Sequence, residues 1–267
     1  MGIDETGYWV VVRMLFLIFS VTALSGLLAA GGSATVRMDS HGDAPHQAAP
    51  LPVPRSLLTA QATCDDFRPS AARAYAALVL RRVAIRGGGQ LRTRDANGYR
   101  TVVGVLGAHA GPRCRPVLLH VQLPGPPNGR AGWIAARSVR VFPVVDRIVV
   151  DLSGRRLYAF RRGRLRLHTR VAVGAPRTPT PTGRFVVNER WVLHNPTGVF
   201  GVAALGISAH SNVLHNWLQR GPIGLHGTNE PWTIGRAASH GCIRLRNAQM
   251  RSLFRLAPAG TPVLIRR

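Results

Sequence analysis

The sequence predicts a mainly β protein, and two observations carry that prediction. Short runs rich in Val, Ile and Leu recur along the second half of the chain, separated by turns that contain Gly or Pro. Only residues 247–257 of that half place apolar side chains at helical spacing. The chain has 267 residues, of which 46% are hydrophobic, so it is long enough for two small domains with cores of their own.

The beginning of the chain predicts export from the cytoplasm. Residues 14–30 are uncharged and largely apolar, and small residues follow them, so we interpret residues 1–31 as a signal peptide or a membrane anchor. The sequence leaves these two alternatives open. Residues 32–62 are rich in Pro, Ala and Gly, a composition typical of a linker. We therefore expect the remainder of the chain in the cell envelope, outside the cytoplasm.

The chain is strongly basic, with a formal net charge of +24, and each of its 35 basic residues is arginine. The lack of lysine in the sequence excludes a lysine nucleophile or Schiff base. A charge of this size favours a polyanionic partner. Because the arginines are spread along an exported chain, we expect anionic cell-wall polymers as partners rather than nucleic acid, and the membrane as well if the first segment stays uncleaved. The protein is expected to be a monomer.

The three cysteines fall into two groups. Cys64 and Cys114 both lie in the first half of the chain, whereas Cys242 is far from them. Disulfides form outside the reducing cytoplasm, so an exported chain can pair two of its three cysteines. We predict a Cys64–Cys114 disulfide, which leaves Cys242 as a thiol.

Residues 63–144 predict a small β accessory domain. The stretch SAARAYAALVLRRV, residues 70–83, is predicted as a helix, and the runs RTVVGVLGA, PVLLHVQL and AGWIAARSVRVF follow it as short strands. Short strands broken by Gly/Pro turns are typical of a small barrel or sandwich.

Residues 145–267 predict a longer series of strands. The runs RIVVDL, RRLYAF and RLRLHTRVAVG are consecutive strands joined by tight turns, and PTPTGRFVVNERWV is a turn followed by a further strand. Asn247 is predicted to cap the helix AQMRSLFRLA, and GTPVLIRR is predicted as the last strand.

Cys242 is the centre of the predicted chemistry. It follows Ser239, His240 and Gly241 in the stretch SHGCIRL, and a further histidine, His226, precedes it in GLHGTNEP. Cysteine catalysis requires a thiolate, an imidazole within hydrogen-bond reach and donors for a developing oxyanion. Backbone N–H groups around Gly241 are candidate donors. We prefer His226 to His240 as the base, because a base is held better by a separate segment.

Carboxylates are scarce in this half, which carries only Asp146, Asp151, Glu189 and Glu230. A serine nucleophile depends on a histidine oriented by a carboxylate, whereas a thiol has a pKa much closer to neutral and needs less help. The composition therefore favours cysteine as the nucleophile. A zinc site is the rival interpretation, but HExxH and CxxC motifs are missing from the sequence, and no metal is expected.

The stretch IGLHGTNEPWTIGRAASHGCIRL resembles the signature of the L,D-transpeptidases with a YkuD-type catalytic domain, which is a His-Gly, a variable span and then Ser/Thr-His-Gly-Cys. The resemblance runs from about residue 146 to residue 267 and includes RIVVDLSGRRLYAF, the TPTPTG turn and the terminal GTPVLI. It implies a β-sandwich-like catalytic domain over residues 145–267. In residues 63–144, the stretch VLLHVQLPGPPNGRAGWI resembles bacterial SH3-like wall-associated modules.

The resemblance also implies a role for each site residue. Cys242 is the nucleophile, and His226 is the general base, oriented by the backbone carbonyl of Gly227. His240 and Gly241 shape the site around the thiol. The residues implied to order the pocket or contact substrate are Ser239, Arg244, Ser211 and His210. No cofactor is implied.

The implied reaction is the cross-linking of peptidoglycan stem peptides. Cys242 attacks the carbonyl between the L-centre of diaminopimelate and the terminal D-Ala of a tetrapeptide stem. D-Ala leaves, a thioester remains, and an amine of a second stem resolves it. Two alternatives stay open: water as the acceptor, which gives an L,D-carboxypeptidase, and a non-catalytic protein that binds the cell wall. The resemblance further implies that carbapenems acylate Cys242.

Overall fold

The computed structural model describes residues 67–193, 195–216 and 220–267. The predictions for the signal or anchor segment 1–31, the linker 32–62 and Cys64 fall outside these residues. Cys114 is disulfide-bonded and Cys242 keeps its thiol, while the pairing of Cys114 with Cys64 stays a prediction. Within the described ranges, no helix is long and apolar enough to span a membrane.

The described chain is mainly β, as predicted. Its first part contains the strands β1 (Ala74–Val79), β2 (Val83–Ala84), β3 (Gln90–Leu91), β4 (Val102–Ala110), β5 (Pro116–Gln122), β6 (Ala131–Ala135) and β7 (Val139–Val144). Five of them form an antiparallel sheet in the order β6-β5-β4-β1-β7, and β2 pairs with β3.

The second part of the described chain forms a larger, mixed sheet. Its elements are β8 (Asp146–Asp151), β9 (Arg156–Arg161), β10 (Arg164–Arg170), β11 (Val173–Gly174), β12 (Gly183–Val192), β13 (Ala203–His210), β14 (Pro222–His226), β15 (Ala237–Ser239), β16 (Ile243–Arg244), α1 (Asn247–Leu256) and β17 (Pro262–Arg266). Eight strands pair in the order β10-β9-β8-β17-β12-β13-β14-β16, and β11 pairs with β15. Within this sheet β17 runs parallel to β8, and β16 runs parallel to β14.

The main core lies between one face of the eight-stranded sheet and α1. Leu205 and Ile207 of β13 point into it, and Met250 and Leu253 of α1 pack from the helix side. All four side chains are at most 2% exposed, and the burial of each stabilises the fold by about 1.5–3 kcal/mol. The opposite face of the sheet carries the candidate site.

The predicted helix over residues 70–83 is wrong, because β1 and β2 occupy this stretch. Its alanines favour a helix by intrinsic propensity. In the fold, however, β1 lies between β4 and β7 and is hydrogen-bonded on both sides. Ala76 is fully buried, and a Cβ at Gly260 would lie 2.4 Å from the Cβ of Ala76. The small side chain of Ala76 therefore lets Gly260 pack closely against the central strand β1. Helix propensity, which depends on local sequence alone, does not detect this contact.

The two sheets belong to one compact unit, residues 63–267. The side-chain amide of Gln122 in β5 donates to the carbonyl of Arg184 in β12. Nearby, a Cβ at Gly104 in β4 would lie 2.6 Å from Cγ1 of Val186, so the close approach of the sheets requires glycine there. The division into an accessory domain of residues 63–144 and a catalytic domain of residues 145–267 stays a prediction, as does the SH3-like character of the former.

A buried carboxylate lies at the contact between the sheets. Glu189 in β12 is 9% exposed, and the Asn97 amide contacts its two oxygens at 3.1 and 3.0 Å. Burial, followed by the Asp95 carboxylate, raises the pKa of Glu189 to about 7, although the Asn97 hydrogen bond acts in the opposite direction. Burial and Glu189 likewise raise the pKa of Tyr99.

Glu189→Gln is expected to stabilise the protein above pH 7. Between about pH 4.5 and 7 the folded state keeps a proton on Glu189 that the unfolded chain releases, so the free energy of unfolding falls as the pH rises through this window. The variant lacks this loss and should exceed the wild type in stability at pH 8 by on the order of 2 kcal/mol. Urea unfolding over this pH range measures the difference, and parallel pH profiles of the two proteins would contradict it.

Candidate active site

Two parallel strands at the edge of the sheet bring Cys242 and His226 to the same side. β14 and β16 pair with Leu225 opposite Ile243 and His226 opposite Arg244. Leu225 and Ile243 are fully buried in the main core, so alternation places His226 and Arg244 on the opposite face. Cys242 directly precedes β16 and, by the same alternation, shares that face.

Cys242 is partly exposed. Continuing the register of β14 and β16 by one residue places Gly224 beside Cys242, and glycine has no side chain to cover the sulfur. Gly206 of β13 lies opposite Gly224, and the space beside it is filled by Glu189, whose Cβ would lie 3.0 Å from a Cβ at that position.

The turn before Cys242 is fixed by Ser239 and Gly241. The Ser239 hydroxyl accepts the N–H of Gly241 at 3.1 Å and donates to the carbonyl of Cys242 at 2.6 Å. Gly241 has a φ of +118°, and a Cβ there would lie 2.8 Å from Cδ1 of Ile223, so glycine is required. Ser239 is only 2% exposed and holds this turn; its contact with substrate stays a prediction.

Two threonines of the TPTPTG stretch brace the same turn. Thr180 accepts the N–H of Gly174 and donates to the carbonyl of Gly241, both at 2.8 Å. Thr178 donates to the carbonyl of Ser239 at 3.1 Å. The sequence marked this stretch as part of the resemblance but assigned neither threonine a role. The repeated Thr-Pro pattern was the one sequence feature that could have drawn attention to these threonines.

His226 is buried in its neutral form. The ring of Phe200 meets its ring edge to face, with the centroids 4.9 Å apart. Nδ1 lies 2.6 Å from the carbonyl oxygen of Gly227. Since a carbonyl only accepts, Nδ1 carries the proton and Nε2 is left as the acceptor. Burial, together with the charge of Arg244, lowers the pKa of His226 to about 4, against the opposing effect of the Gly227 carbonyl.

Asn247 supports the backbone next to His226. Its side-chain oxygen accepts the N–H of Thr228 at 3.0 Å, and its amide donates to the carbonyl of Pro196 at 3.2 Å. Cβ atoms at Gly227 and Gly201 would lie 2.2 and 2.1 Å from the same oxygen. Asn247 therefore fixes the segment whose carbonyl orients the imidazole.

The predicted capping role of Asn247 is wrong. The N-cap residue of α1 is Arg246, which makes no side-chain capping hydrogen bond. An asparagine before an apolar periodic run is typical of a cap, but here its amide satisfies backbone groups of two distant loops instead. The local pattern could not distinguish these uses of the same side chain.

Arg244 links the site to the loop between His226 and Cys242. Its guanidinium donates to Glu230 at 2.5 Å, and its backbone pairs with Ala172 in both directions at 3.0 Å. Its Nε is buried and has no hydrogen-bond partner among the described residues. The resemblance implied Arg244 but not Glu230, because a single acid in a polar loop forms no recognisable pattern.

The other predicted residues lie at the margin of this arrangement. His240 is exposed, whereas His226 is buried. Ser211 is 4% exposed, and its hydroxyl accepts two backbone N–H groups of the loop that follows it. The backbone of His210 is held on both sides by the Asn128 amide, at 2.7 and 2.8 Å. The substrate contacts of His210 and Ser211 stay predictions.

One face of the sheet thus carries a partly exposed thiol, a neutral imidazole with Nε2 as acceptor, and a guanidinium. Such a set can perform nucleophilic acyl transfer, in which the imidazole accepts the thiol proton as sulfur attacks a carbonyl. Within the part of the chain that the structure describes, no group of three or more His, Cys, Asp or Glu side chains is placed to hold a metal ion.

Comparison with known proteins points to one family. Residues 145–265 match the family model described as YkuD, L,D-transpeptidase catalytic domain. A protein of Bacillus licheniformis named as an L,D-transpeptidase (YkuD) is 40% identical over 146 residues, which are 52% of this chain and 81% of that protein. The protein of the same name from Bacillus subtilis is 33% identical over 147 residues, 53% of this chain and 82% of that protein.

Solved structures show a weaker likeness. A crystal structure of an L,D-transpeptidase mutant from Enterococcus faecium is 26% identical to this chain and covers 45% of it and 49% of the solved chain. Its TM-score is 0.34, which is too low to add weight to the sequence matches.

Proposed function

Because the chain belongs to the YkuD family of L,D-transpeptidases, enzymes that act on peptidoglycan, we propose that it cross-links stem peptides through a thioester on Cys242. The observation that carries this proposal is a partly exposed Cys242 on the same face as a buried, neutral His226. The family indicates a cell-wall location outside the cytoplasm. At this location, we propose that the protein is a monomer, either secreted or anchored through residues 1–31.

In the first half-reaction, Nε2 of His226 accepts the thiol proton as the sulfur of Cys242 attacks the carbonyl before the terminal D-Ala. With the pKa of His226 at about 4, this transfer accompanies the attack rather than preceding it. The N–H of Gly241 already donates to Ser239, so we assign the oxyanion to the N–H of Cys242. The C–N bond then breaks, the imidazolium gives its proton to the leaving amine of D-Ala, and the thioester remains.

In the second half-reaction, an amine of another stem attacks the thioester carbonyl. His226 accepts a proton from that amine, the C–S bond breaks, and the imidazolium returns the proton to the sulfur of Cys242. Water in place of the amine gives hydrolysis and makes the protein an L,D-carboxypeptidase. Each half-reaction exchanges one acyl bond for another, so the chemistry requires no cofactor.

Arg244 is the candidate for binding the stem peptide. Glu230 holds one of its terminal nitrogens, while the buried Nε lacks a partner among the described residues. The Arg244 side chain as a whole is 15% exposed, so a carboxylate of the stem can accept from a terminal N–H of the guanidinium in a charge-assisted hydrogen bond. We place His210 and Ser211 at the wall of the same pocket, and His240 and Gly241 at the turn that presents the thiol.

Product analysis tests the proposed reaction. Incubation with a disaccharide tetrapeptide should release D-Ala and yield a cross-linked dimer that mass spectrometry identifies. A tripeptide product without dimer would assign the carboxypeptidase activity instead. Binding of cell-wall fragments without release of D-Ala would favour the non-catalytic alternative.

Asn247→Ala is expected to lower kcat for D-Ala release by roughly 10- to 100-fold, with a smaller effect on KM, because the loop that orients His226 loses its support. Asn247→Asp keeps the oxygen that accepts from Thr228 and should retain more activity. Arg251→Ala, an exposed change on the same helix, is the control. Equal losses in both Asn247 variants, or a change in KM alone, would contradict the positioning role.

A further inference from the structure

The β9–β10 hairpin concentrates positive charge at the edge of the larger sheet. Residues 155–170 contain seven arginines and no acidic residue. The seven, all exposed, are Arg155, Arg156, Arg161, Arg162, Arg164, Arg166 and Arg170. β10 is the outermost strand of the sheet, so no further strand of the described chain pairs with its outer edge.

Arginines lie directly opposite one another across this hairpin. Arg161 pairs with Arg164, and Arg156 pairs with Arg170. Like charges in directly opposed positions destabilise a strand pair, whereas favourable pairs contribute about 0.2–1 kcal/mol each. Strand pairing alone therefore favours other residues at these positions.

The turn residues on either side of β9 follow the same trend. Arg155 and Arg162 have φ values of 49° and 50°. This is the left-handed region, in which non-glycine residues are uncommon and Asn, Asp and His are the most frequent. Local backbone preference therefore favours a neutral or acidic residue at both positions, and arginine is present instead.

Most of these guanidinium groups are available to an external anion. Among the described residues, only Arg161 of the seven has an ion pair, with Asp146 at 2.7 Å. Arg156 lies 3.0 Å from Nε2 of His168 and donates to it, since a guanidinium has no acceptor. His168 stacks on Tyr158 with the centroids 4.6 Å apart. The stack gives the hairpin a flat, aromatic centre with arginine donors around it.

The charged hairpin contacts the loop between the two proposed catalytic residues. A Cβ at Gly235 would lie 2.8 Å from a guanidinium nitrogen of Arg170, and the N–H of Gly235 donates to the carbonyl of Val171 at 3.1 Å. Gly235 belongs to the loop that joins His226 to Cys242. A ligand on the hairpin is thus held next to the loop that joins the two proposed catalytic residues.

We propose that the β9–β10 hairpin binds a linear phosphate-bearing polymer of the cell envelope and so holds the enzyme at its substrate. Guanidinium groups bind phosphate oxygens in a bidentate manner. The Arg156–Arg170 and Arg161–Arg164 pairs lie on opposite faces of the hairpin, because Arg156 and Arg161 are five residues apart on β9. A flexible chain of phosphates can pass over the unpaired edge of β10 and contact arginines of both faces. The choice of an envelope polymer over nucleic acid rests on the proposed function, which assigns the enzyme to the cell wall.

The test measures binding of the full chain to poly(glycerol phosphate) at several salt concentrations. The triple variant Arg156→Gln, Arg164→Gln, Arg166→Gln should bind about tenfold more weakly or worse, with a salt slope reduced by roughly 2–3. The variant should fold, because it removes one arginine from each directly opposed pair and so relieves repulsion across the hairpin. The control, Arg82→Gln, Arg92→Gln, Arg140→Gln, removes the same charge from exposed positions of the first part of the chain and should change affinity less than about twofold.

Two results would overturn the proposal. Equal weakening in both triple variants would mean that net charge, rather than the hairpin, governs binding. If the wild type binds single-stranded DNA more tightly than poly(glycerol phosphate) at equal concentrations of phosphate groups, the choice of polymer is overturned. Cys242→Ala should bind the polymer as the wild type does, which separates this test from the proposed transpeptidase reaction.

Discussion

Cys242→Ser is expected to lower D-Ala release by roughly 10³-fold or more. The hydroxyl fits the space of the thiol, but its pKa is far higher, and a neutral imidazole with its pKa lowered to about 4 is a weak base for activating it. The Nδ1 of His226 contacts the carbonyl of Gly227, which carries no full charge to stabilise an imidazolium. Steady-state D-Ala release and the intact mass of the enzyme during turnover measure the effect.

Cys242→Ala provides the matching control, because it removes the nucleophile altogether. Both variants should unfold at the wild-type temperature, and a carbapenem should add its mass to the peptide that contains Cys242 only in the wild type. Release of D-Ala by Cys242→Ala within tenfold of the wild type would show that the nucleophile is another residue.

His226→Gln should reduce kcat/KM by roughly 10²- to 10⁴-fold, the range associated with the loss of a general base. His240→Gln is the matched comparison, since it makes the same change at the exposed histidine of the SHGC turn. It should retain most of the activity. A larger loss in His240→Gln than in His226→Gln would transfer the role of base to His240.

The wild-type pH dependence follows from the same histidine. Protonation of His226 removes its capacity as a base, and because its pKa is lowered to about 4, the acid limb of kcat/KM should fall below pH 5 rather than near 6.5. Stability follows the same sign: it is fully present above the unfolded pKa of about 6.5 and is lost as the pH falls toward 4. Brief assays after a pH jump separate the two effects, and an acid limb centred near pH 6.5 would contradict the buried, neutral imidazole.

Local patterns predicted much of the fold. β8, β9, β10 and β17 follow the apolar runs between Gly/Pro turns, because such runs report the burial of a strand directly. The error over residues 70–83 has a different origin. β1 is a strand because β4 and β7 pair with it from both sides, and partners remote in sequence leave no trace in a local window.

In the candidate site, too, features carried by a local motif could be predicted, whereas contacts made by the fold could not. Cys242 and His226 could be singled out because both lie in a short, spaced motif, and their catalytic roles stay predictions. Thr180 and Glu230 could not, since each acts through a hydrogen bond to a backbone or side chain that the fold brings near. Asn247 was detected as important but assigned to the wrong partner, because capping and loop bridging use the same amide.

The turn that presents Cys242 is held from two remote parts of the chain: Thr180 binds Gly241, and β14 aligns β16. Closing loops of this length comes late in the assembly of a β-rich protein. Until these segments meet, the backbone around Cys242 is not fixed, and under the proposed mechanism its thiol becomes reactive only when the fold is complete.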